Sequence, residues 1–255
     1  MESDFTQKKY CQLCQSIIES SYTVLTLNQH LERSKSPSKL VIMRHDVDRK
    51  PLNALRIARI ENRMGLCATY YFRYTRSVFI PWIMREIVAL GHEIGYHYET
   101  LSSARGDYKK AITIFESALS EIRKISTVKS ISMHGRPLSK WDNRDIWDKY
   151  DFKKYGLVGE AYISIDYNTL SYFSDTGRTW HKDRYNIRDH VTGMPLPKVE
   201  TTNQLIDLIR GDHFDQICIL THPNRWASTG VEWIKEYCAD FLINLIKRGI
   251  RWHRK

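Results

Sequence analysis

The chain has 255 residues, 42% of them hydrophobic, which is enough to bury a sizeable core and excludes a disordered protein as the default expectation. Its 39 Lys and Arg against 29 Asp and Glu give a formal charge of +10, which favours anionic partners, but no nucleic-acid recognition motif accompanies it and we expect no nucleic-acid partner. No apolar run reaches the ~20 residues of a transmembrane helix, and residues 1–18 do not resemble a signal peptide, so we expect a cytoplasmic protein.

In chain order, residues 1–38 are predicted to form an N-terminal helical segment, with a helix over 5–33 and a loop over 34–38. From residue 40 onward, short apolar strands alternate with helices. The predicted strands cover 40–43, 68–72, 93–98, 130–133, 161–165, 170–173 and 216–220, and the predicted helices cover 51–64, 81–90, 107–124, 141–149, 202–209 and 231–247. This alternation is typical of parallel βαβ units. We predict one α/β domain over residues 1–255, a TIM-like (β/α) barrel that is irregular and has seven strands.

Polar, chemically capable residues sit at or just after the ends of five predicted strands. These segments are RHDVD at 44–48, HYE at 97–99, HGRP at 134–137, SDTGR at 174–178 and THPNRW at 221–226. In a β/α barrel the strand ends converge on one face, which is where the active sites of such barrels are found. The sequence therefore predicts an active site built from these five segments.

The first three segments contain residues that could hold a metal. Asp46 and Asp48 are two residues apart, so on an extended backbone their carboxylates point the same way and repel each other unless a cation or a proton lies between them. A divalent metal could bind one of them and leave the other free as a base. His97 and Glu99 share a strand face, and His134 follows the next strand, so these side chains are candidate metal ligands.

The remaining segments supply candidates for catalysis and substrate binding. His222 is well placed as a general acid, because the unperturbed pKa of histidine lies close to neutrality. Arg136 could hold a catalytic carboxylate or a substrate anion through its planar guanidinium group. The side chains predicted to contact a sugar are Asp175, Arg178, Trp180 and Trp226.

Together these residues resemble the NodB-homology polysaccharide deacetylases over about residues 41–226, with GHEIGYH at 91–97 the most specific segment. The resemblance implies that Asp46 is the catalytic base and that Asp48 and His97 bind the metal. It further implies that Arg136 orients Asp46 and that His222 is the general acid. The expected activity is removal of the acetyl group from an N-acetylated sugar or polysaccharide precursor, with a divalent metal, zinc above all, as cofactor.

The sequence departs from the family at one metal ligand. The family's second metal histidine comes four residues after the first, and here that position is Leu101, which cannot bind a metal. Glu99 or His134 could supply the missing ligand, and His45 is a further candidate. Two alternatives therefore stay open: a non-catalytic carbohydrate-binding barrel with a degenerate metal site, and a hydrolase of a non-sugar C–N bond.

Overall fold

The computed structural model describes residues 3–180, 185 and 191–253. The strands are β1 (Thr23–Leu25), β2 (Leu40–Val47), β3 (Thr69–Phe72), β4 (Glu93–Tyr98), β5 (Ser130–Met133), β6 (Gly159–Glu160), β7 (Ser171–Ser174) and β8 (Gln216–Thr221). The helices are α1 (Gln7–Ile18), α2 (Leu27–Glu32), α3 (Pro51–Arg63), α4 (Pro81–Ala89), α5 (Thr100–Ser103), α6 (Tyr108–Arg123), α7 (Thr202–Arg210) and α8 (Gly230–His253). Short 3-10 helices cover Asn143–Asp148, Phe152–Tyr155 and Pro223–Arg225.

The strands form one parallel sheet. Its main path runs β6-β5-β4-β3-β2-β8-β7, and every neighbouring pair is parallel. β1 adds to the first half of β2, where Thr23 lies opposite Leu40, while β3 pairs with β2 from Arg44 onward. Within the described ranges no pairing joins β7 to β6, so the curled sheet stays open there. The predicted α/β class is confirmed: the fold is barrel-like and irregular, with seven strands in its main path.

The prediction of a single helix over residues 5–33 is wrong. The N-terminal segment contains two helices with β1 between them. Thr6 caps α1 by accepting a hydrogen bond from the Lys9 backbone N–H, and Thr26 caps α2 in the same way through Gln29. Two such caps mark two separate helix starts, and the β-branched residues between them favour an extended backbone.

The strand predicted at residues 161–165 is wrong. The strand in this region, β6, contains only Gly159 and Glu160, and the chain then turns. The buried Glu160 carboxylate accepts hydrogen bonds from the backbone N–H groups of Tyr162 and Ile163, at 2.7 and 2.9 Å. A side chain that takes up these backbone donors gives them an alternative to strand pairing, so the strand ends.

The central strand β2 is buried on both faces. Its side chains point alternately to the two faces, so its polar residues belong to two separate regions. Asp46 points into the barrel interior towards β4, where its Oδ2 lies 3.6 Å from His97 Nε2. His45 points the opposite way, where its Nε2 lies 2.7 Å from Glu61 Oε1 on α3. The interior side therefore belongs to the predicted active site and the outer side to a separate buried cluster.

That outer cluster is centred on Glu61, which is fully buried. Its carboxylate accepts hydrogen bonds from the hydroxyls of Tyr10 and Tyr70, and it faces His45 and, at 3.7 Å, His92. Burial alone would raise the pKa of Glu61, but the neighbouring histidines and the Tyr10 hydroxyl lower it below its ordinary value. The carboxylate is therefore the charge that holds α1, α3 and the sheet together at this point.

Glu61→Ala should lower the free energy of unfolding by about 3–5 kcal/mol, because it removes one partner of a buried charged network and leaves Tyr10, Tyr70 and His45 Nε2 without their acceptor. Urea unfolding followed by circular dichroism measures this loss. Glu86→Ala is the matched control, since Glu86 is 55% exposed, and it should leave stability unchanged. A Glu61→Ala protein as stable as the control would contradict this account of the cluster.

Candidate functional site

Three of the predicted metal ligands come together at the strand ends. They are Asp48 just after β2, His97 near the end of β4 and His134 just after β5, and one ligand atom from each lies within 4.8 Å of the others. Nε2 of His97 is 3.3 Å from Asp48 Oδ1, and Nε2 of His134 is 3.5 Å from the same oxygen. One carboxylate and two imidazoles provide three ligands and leave a fourth position open, as at catalytic zinc sites.

The contacts around these three side chains fit a divalent cation. Nδ1 of His97 lies 3.0 Å from the Ser132 carbonyl oxygen, and Nδ1 of His134 lies 3.0 Å from Glu99 Oε2. Because these oxygens accept a hydrogen bond, each Nδ1 carries the proton and each Nε2 presents its lone pair to the cluster. Asp48 Oδ1 is buried and accepts no hydrogen bond from the described residues, which leaves it available to a cation.

The charge state of Asp48 agrees with this role. Burial alone would raise the pKa of its carboxyl, but the neighbouring imidazoles of His134, His97 and His222 hold that pKa well below its ordinary value. The carboxylate is therefore ionised at neutral pH and ready to bind a metal. The predicted ligands Asp48, His97 and His134 thus form one cluster.

Glu99, which we also predicted as a ligand, lies behind the cluster. Its Oε1 accepts hydrogen bonds from the Arg73 guanidinium, at 3.1 and 2.5 Å, and its Oε2 faces His134 Nδ1. Burial alone would raise the pKa of Glu99, but the contacts with His134 and Arg73 outweigh the effect of burial and lower the pKa to about 2. Both oxygens already have partners, so Glu99 orients His134 and does not reach the cluster.

His134 lies where it could replace the histidine that is missing at Leu101. The Leu101 side chain is fully buried on the short helix α5, and His134 supplies the third ligand atom from the neighbouring strand end. His45, the further candidate, lies on the opposite face of β2 beside Glu61. The missing histidine therefore does not leave the cluster with only two ligands.

Glu99→Ala should weaken metal binding about 10- to 100-fold, because a metal-bound histidine that loses its hydrogen-bond acceptor is no longer held in orientation. Competition with a chromogenic chelator measures the zinc Kd, and Glu86→Ala serves as the control. An unchanged Kd in Glu99→Ala would mean that the Glu99–His134 contact does not support the site.

Asp46, the predicted base, is buried and paired with an arginine. Arg44 donates to its two oxygens, from Nε to Oδ1 at 3.0 Å and from Nη2 to Oδ2 at 2.7 Å. The guanidinium group lies between the rings of Tyr71 and Tyr162, 5.4 and 4.4 Å from their centroids. Burial alone would raise the pKa of Asp46, but Arg44 and His97 outweigh the effect of burial and lower the pKa below its ordinary value. The carboxylate is therefore ionised at neutral pH.

The orienting arginine is therefore Arg44, and the structure does not bring Arg136 to Asp46. Arg136 is half exposed at the edge of the site, where its Nε lies 3.7 Å from Glu99 Oε2. Arg44 lies on the same strand as Asp46, two residues earlier, and so shares its strand face. The same parity rule that paired Asp46 with Asp48 in the sequence would have identified it.

His222 is held by Asp175. Nδ1 of His222 lies 2.6 Å from Asp175 Oδ1, and the His222 backbone N–H donates to Asp175 Oδ2 at 2.9 Å. Asp175 also accepts from Arg225 Nη1 and from Trp226 Nε1, each at 3.0 Å. These bonds turn Nε2 of His222 towards the cluster, 3.9 Å from Asp48 Oδ2. Asp175, predicted to contact a sugar, is fully buried and instead positions His222.

The structure also contradicts the predicted sugar contacts of Trp180 and Trp226. Trp180 and Trp226 are 1% and 0% exposed, and both pack against Phe5, with ring centroids 6.4 and 5.3 Å away. A ring without exposed surface cannot stack on a sugar. The Arg178 side chain is 6% exposed, and its Nη1 donates to the Arg225 backbone carbonyl. These three side chains attach the N-terminal segment and α8 to the barrel.

A cleft opens over the cluster, with a volume of about 490 Å³. Its walls include Asp48, His134, His222, Arg73, Arg136 and Leu138 from the strand-end loops, and Asp240, Ile243 and Lys247 from α8. This volume falls within the range of pockets that bind small molecules, ~300–1,000 Å³. The cluster is thus accessible to a ligand from one side.

No known family profile matches the chain, and neither does any curated protein. Solved structures of similar fold include a presumed polysaccharide deacetylase from Mycobacterium smegmatis, with a TM-score of 0.48 and 15% identity over 88% of this chain and 93% of that one. A family 4 carbohydrate esterase from Streptomyces lividans has a TM-score of 0.41 and 14% identity over 81% and 90% of the two chains. A family 4 pseudoenzyme from Bacillus anthracis has a TM-score of 0.38 and 16% identity over 80% and 61%. At these values the likeness says nothing about activity.

Proposed function

We propose that the protein is a metal-dependent hydrolase that removes the acetyl group from an N-acetylated sugar or polysaccharide precursor. The observation that best supports this is the position of an ionised carboxylate and a histidine next to one three-ligand cluster. Asp46 Oδ2 lies 3.6 Å from His97 Nε2, and His222 Nε2 lies 3.9 Å from Asp48 Oδ2. A base and an acid beside a divalent-cation site are the groups that amide hydrolysis requires.

The cofactor we propose is zinc, held by Asp48, His97 and His134, which would polarise the amide carbonyl and lower the pKa of water. The Asp46 carboxylate, fixed by Arg44, accepts a proton from the attacking water. Nε2 of His222 donates a proton to the amine nitrogen as the C–N bond breaks, and Asp175 keeps the imidazole in the required orientation. The products are acetate and the free amine.

The proposed substrate is a carbohydrate on two grounds. The motifs resemble those of the polysaccharide deacetylases, and the walls of the cleft include polar side chains that can hydrogen-bond to hydroxyl groups. If the protein is cytoplasmic, as we predicted, its substrate would be a nucleotide-linked or lipid-linked N-acetyl sugar that serves as precursor of a surface polysaccharide. The free polymer would then not be the natural substrate.

A substrate panel tests this function. Zinc-loaded protein is incubated with chitooligosaccharides, UDP-N-acetylglucosamine, a lipid-linked N-acetyl sugar and N-acetyl amino acids, and released acetate and free amine are measured. We expect equal amounts of both products from at least one sugar and none from the N-acetyl amino acids. Release from the amino acids alone would favour the hydrolase of a non-sugar C–N bond. Sugar binding that persists in chelator, without any release, would favour the non-catalytic barrel.

A further inference from the structure

Helix α8 presents an apolar surface to solvent. We call Val231, Ile234, Phe241, Leu242, Leu245 and Ile246 the apolar face of α8; these side chains are 46–65% exposed. Single exposed apolar side chains are normal on a protein surface, but a contiguous set on one helix marks an interaction site. Among the described helices, none is both long and apolar enough to cross a membrane.

Helix α8 turns its charged side, and not its apolar side, towards the barrel. Its charged residues Glu236 and Asp240 are buried against the barrel, at 5% and 2% exposure. Arg49 lies 3.3 Å from Glu236 and 3.2 Å from Asp240, and Lys50 forms a further ion pair with Glu236. Polar contacts therefore fix α8 to the barrel and turn its apolar face outward. A surface helix of a globular protein normally buries that face.

The width of the face favours a lipid surface over a second helix. At 100° per residue, its six side chains span an arc of about 140°, from Phe241 round to Ile246. The exposed Lys235 lies inside this arc, between Leu242 and Ile246, and its flexible stem lets the ammonium group reach the headgroup region. A coiled-coil seam uses a narrower stripe, whereas a helix that lies in the plane of a membrane buries a broad apolar face. Tyr237, which is 47% exposed, extends the arc on one side with an amphipathic ring suited to the headgroup region.

The distribution of charge on α8 also favours a lipid surface. The acidic residues of α8 face the barrel, and Glu232 joins Glu236 and Asp240 there through a hydrogen bond from Asn53. Among the described side chains of α8, the exposed charge belongs to Lys235. The sequence adds four more cations at residues 248–255, and the whole chain carries a formal charge of +10. Two copies of such a chain repel each other, whereas an anionic surface attracts each of them.

We propose that α8 docks the protein on an anionic phospholipid surface, with its apolar face inserted among the acyl chains and its polar side against the barrel. Asp240, Ile243 and Lys247 of the same helix line the cleft, so docking places the cleft close to the lipid headgroups. Given the proposed deacetylase function, on which this step rests, the position favours a lipid-linked N-acetyl sugar as the substrate.

Vesicle flotation of the full chain tests the docking. Vesicles contain either phosphatidylcholine alone or equal parts of phosphatidylcholine and phosphatidylglycerol. The test variant is Phe241→Ser/Leu245→Ser, and the matched control is Leu52→Ser/Trp82→Ser, which removes two similarly exposed apolar side chains from α3 and α4. We expect wild type and control to bind the anionic vesicles at least about 10-fold more strongly than the neutral ones, and the test variant to lose at least about 10-fold of that binding.

Thermal unfolding by circular dichroism checks that the variants are folded. Absence of binding by wild type, or equal binding by wild type and the α8 variant, would overturn the proposal. A third outcome would also overturn it: the wild type binds no vesicles, light scattering shows that it is a dimer, and the α8 substitutions dissociate that dimer. The apolar face of α8 would then be the contact with a second copy. The readout needs neither metal nor turnover, so its failure is distinct from failure of the hydrolase proposal.

Discussion

Asp46→Asn should lower kcat for deacetylation by about 10²- to 10⁴-fold, the range typical of losing a general base. The carboxylate is kept ionised by Arg44, which donates to both of its oxygens. An amide of the same shape accepts no proton from water, yet it lies outside the Asp48–His97–His134 cluster and should leave metal binding intact. Acetate release under saturating substrate, together with zinc content, measures both effects.

The control for this variant is Asp151→Asn, which makes the same chemical change at an exposed aspartate that caps a 3-10 helix. It should retain wild-type kcat and zinc content. If Asp46→Asn turns over the true substrate at the wild-type rate, Asp46 is not the base. Loss of zinc together with activity would instead place Asp46 among the metal ligands.

His222→Gln should also lower kcat for an N-acetyl sugar by about 10²- to 10⁴-fold, but for a different reason. The amine is a poor leaving group and needs the proton that His222 supplies. Nε2 of this residue faces the cluster because Asp175 holds the other ring nitrogen, at 2.6 Å. Hydrolysis of 4-nitrophenyl acetate needs no such proton, so the variant should process that ester at nearly the wild-type rate.

The comparison of two substrates distinguishes an acid from a merely structural residue. Asp46→Asn should slow both the amide and the ester, whereas His222→Gln should slow only the amide. His213→Gln, a change at an exposed histidine, should affect neither. Equal losses on amide and ester in His222→Gln would contradict the assignment of His222 as the general acid.

The sequence predicted the parts of the fold and site that depend on local pattern. Apolar runs alternating with amphipathic helices gave the parallel barrel, because each pattern specifies its element and parallel strands need helical crossovers. The strand parity of Asp46 and Asp48 placed both carboxylates towards the same side. β4 and β5 have the bounds that were predicted, and their ends bring His97 and His134 to the same cluster.

What the sequence did not predict depends on partners that are distant along the chain. The sequence pattern predicts Glu99 as a ligand, because nothing local shows that Arg73, 26 residues earlier, occupies one of its oxygens. The sequence likewise predicts that Asp175 contacts a sugar, because its actual partner, His222, lies 47 residues further on. A buried polar side chain acquires its role from such contacts, which only the tertiary structure reveals.

The orientation of α8 is a further case. Its helical pattern was predicted, but the side that faces the barrel was not. That side is fixed by Arg49, whose partner Asp240 lies 191 residues later in the chain. Periodicity predicts which residues share a face of a helix, whereas the partners of each face are set by the rest of the fold.

The measurement that tests the metal-dependent site most directly is metal content by plasma mass spectrometry, on protein purified without chelator. The variants are Asp48→Ala, His97→Ala and His134→Ala, with His213→Ala as the control outside the cluster. We predict near-stoichiometric zinc, or another divalent metal, in wild type and control, and its loss in each of the three ligand variants. A wild-type protein without metal after reconstitution, or ligand variants that keep it, would contradict the proposed site and the hydrolysis built on it.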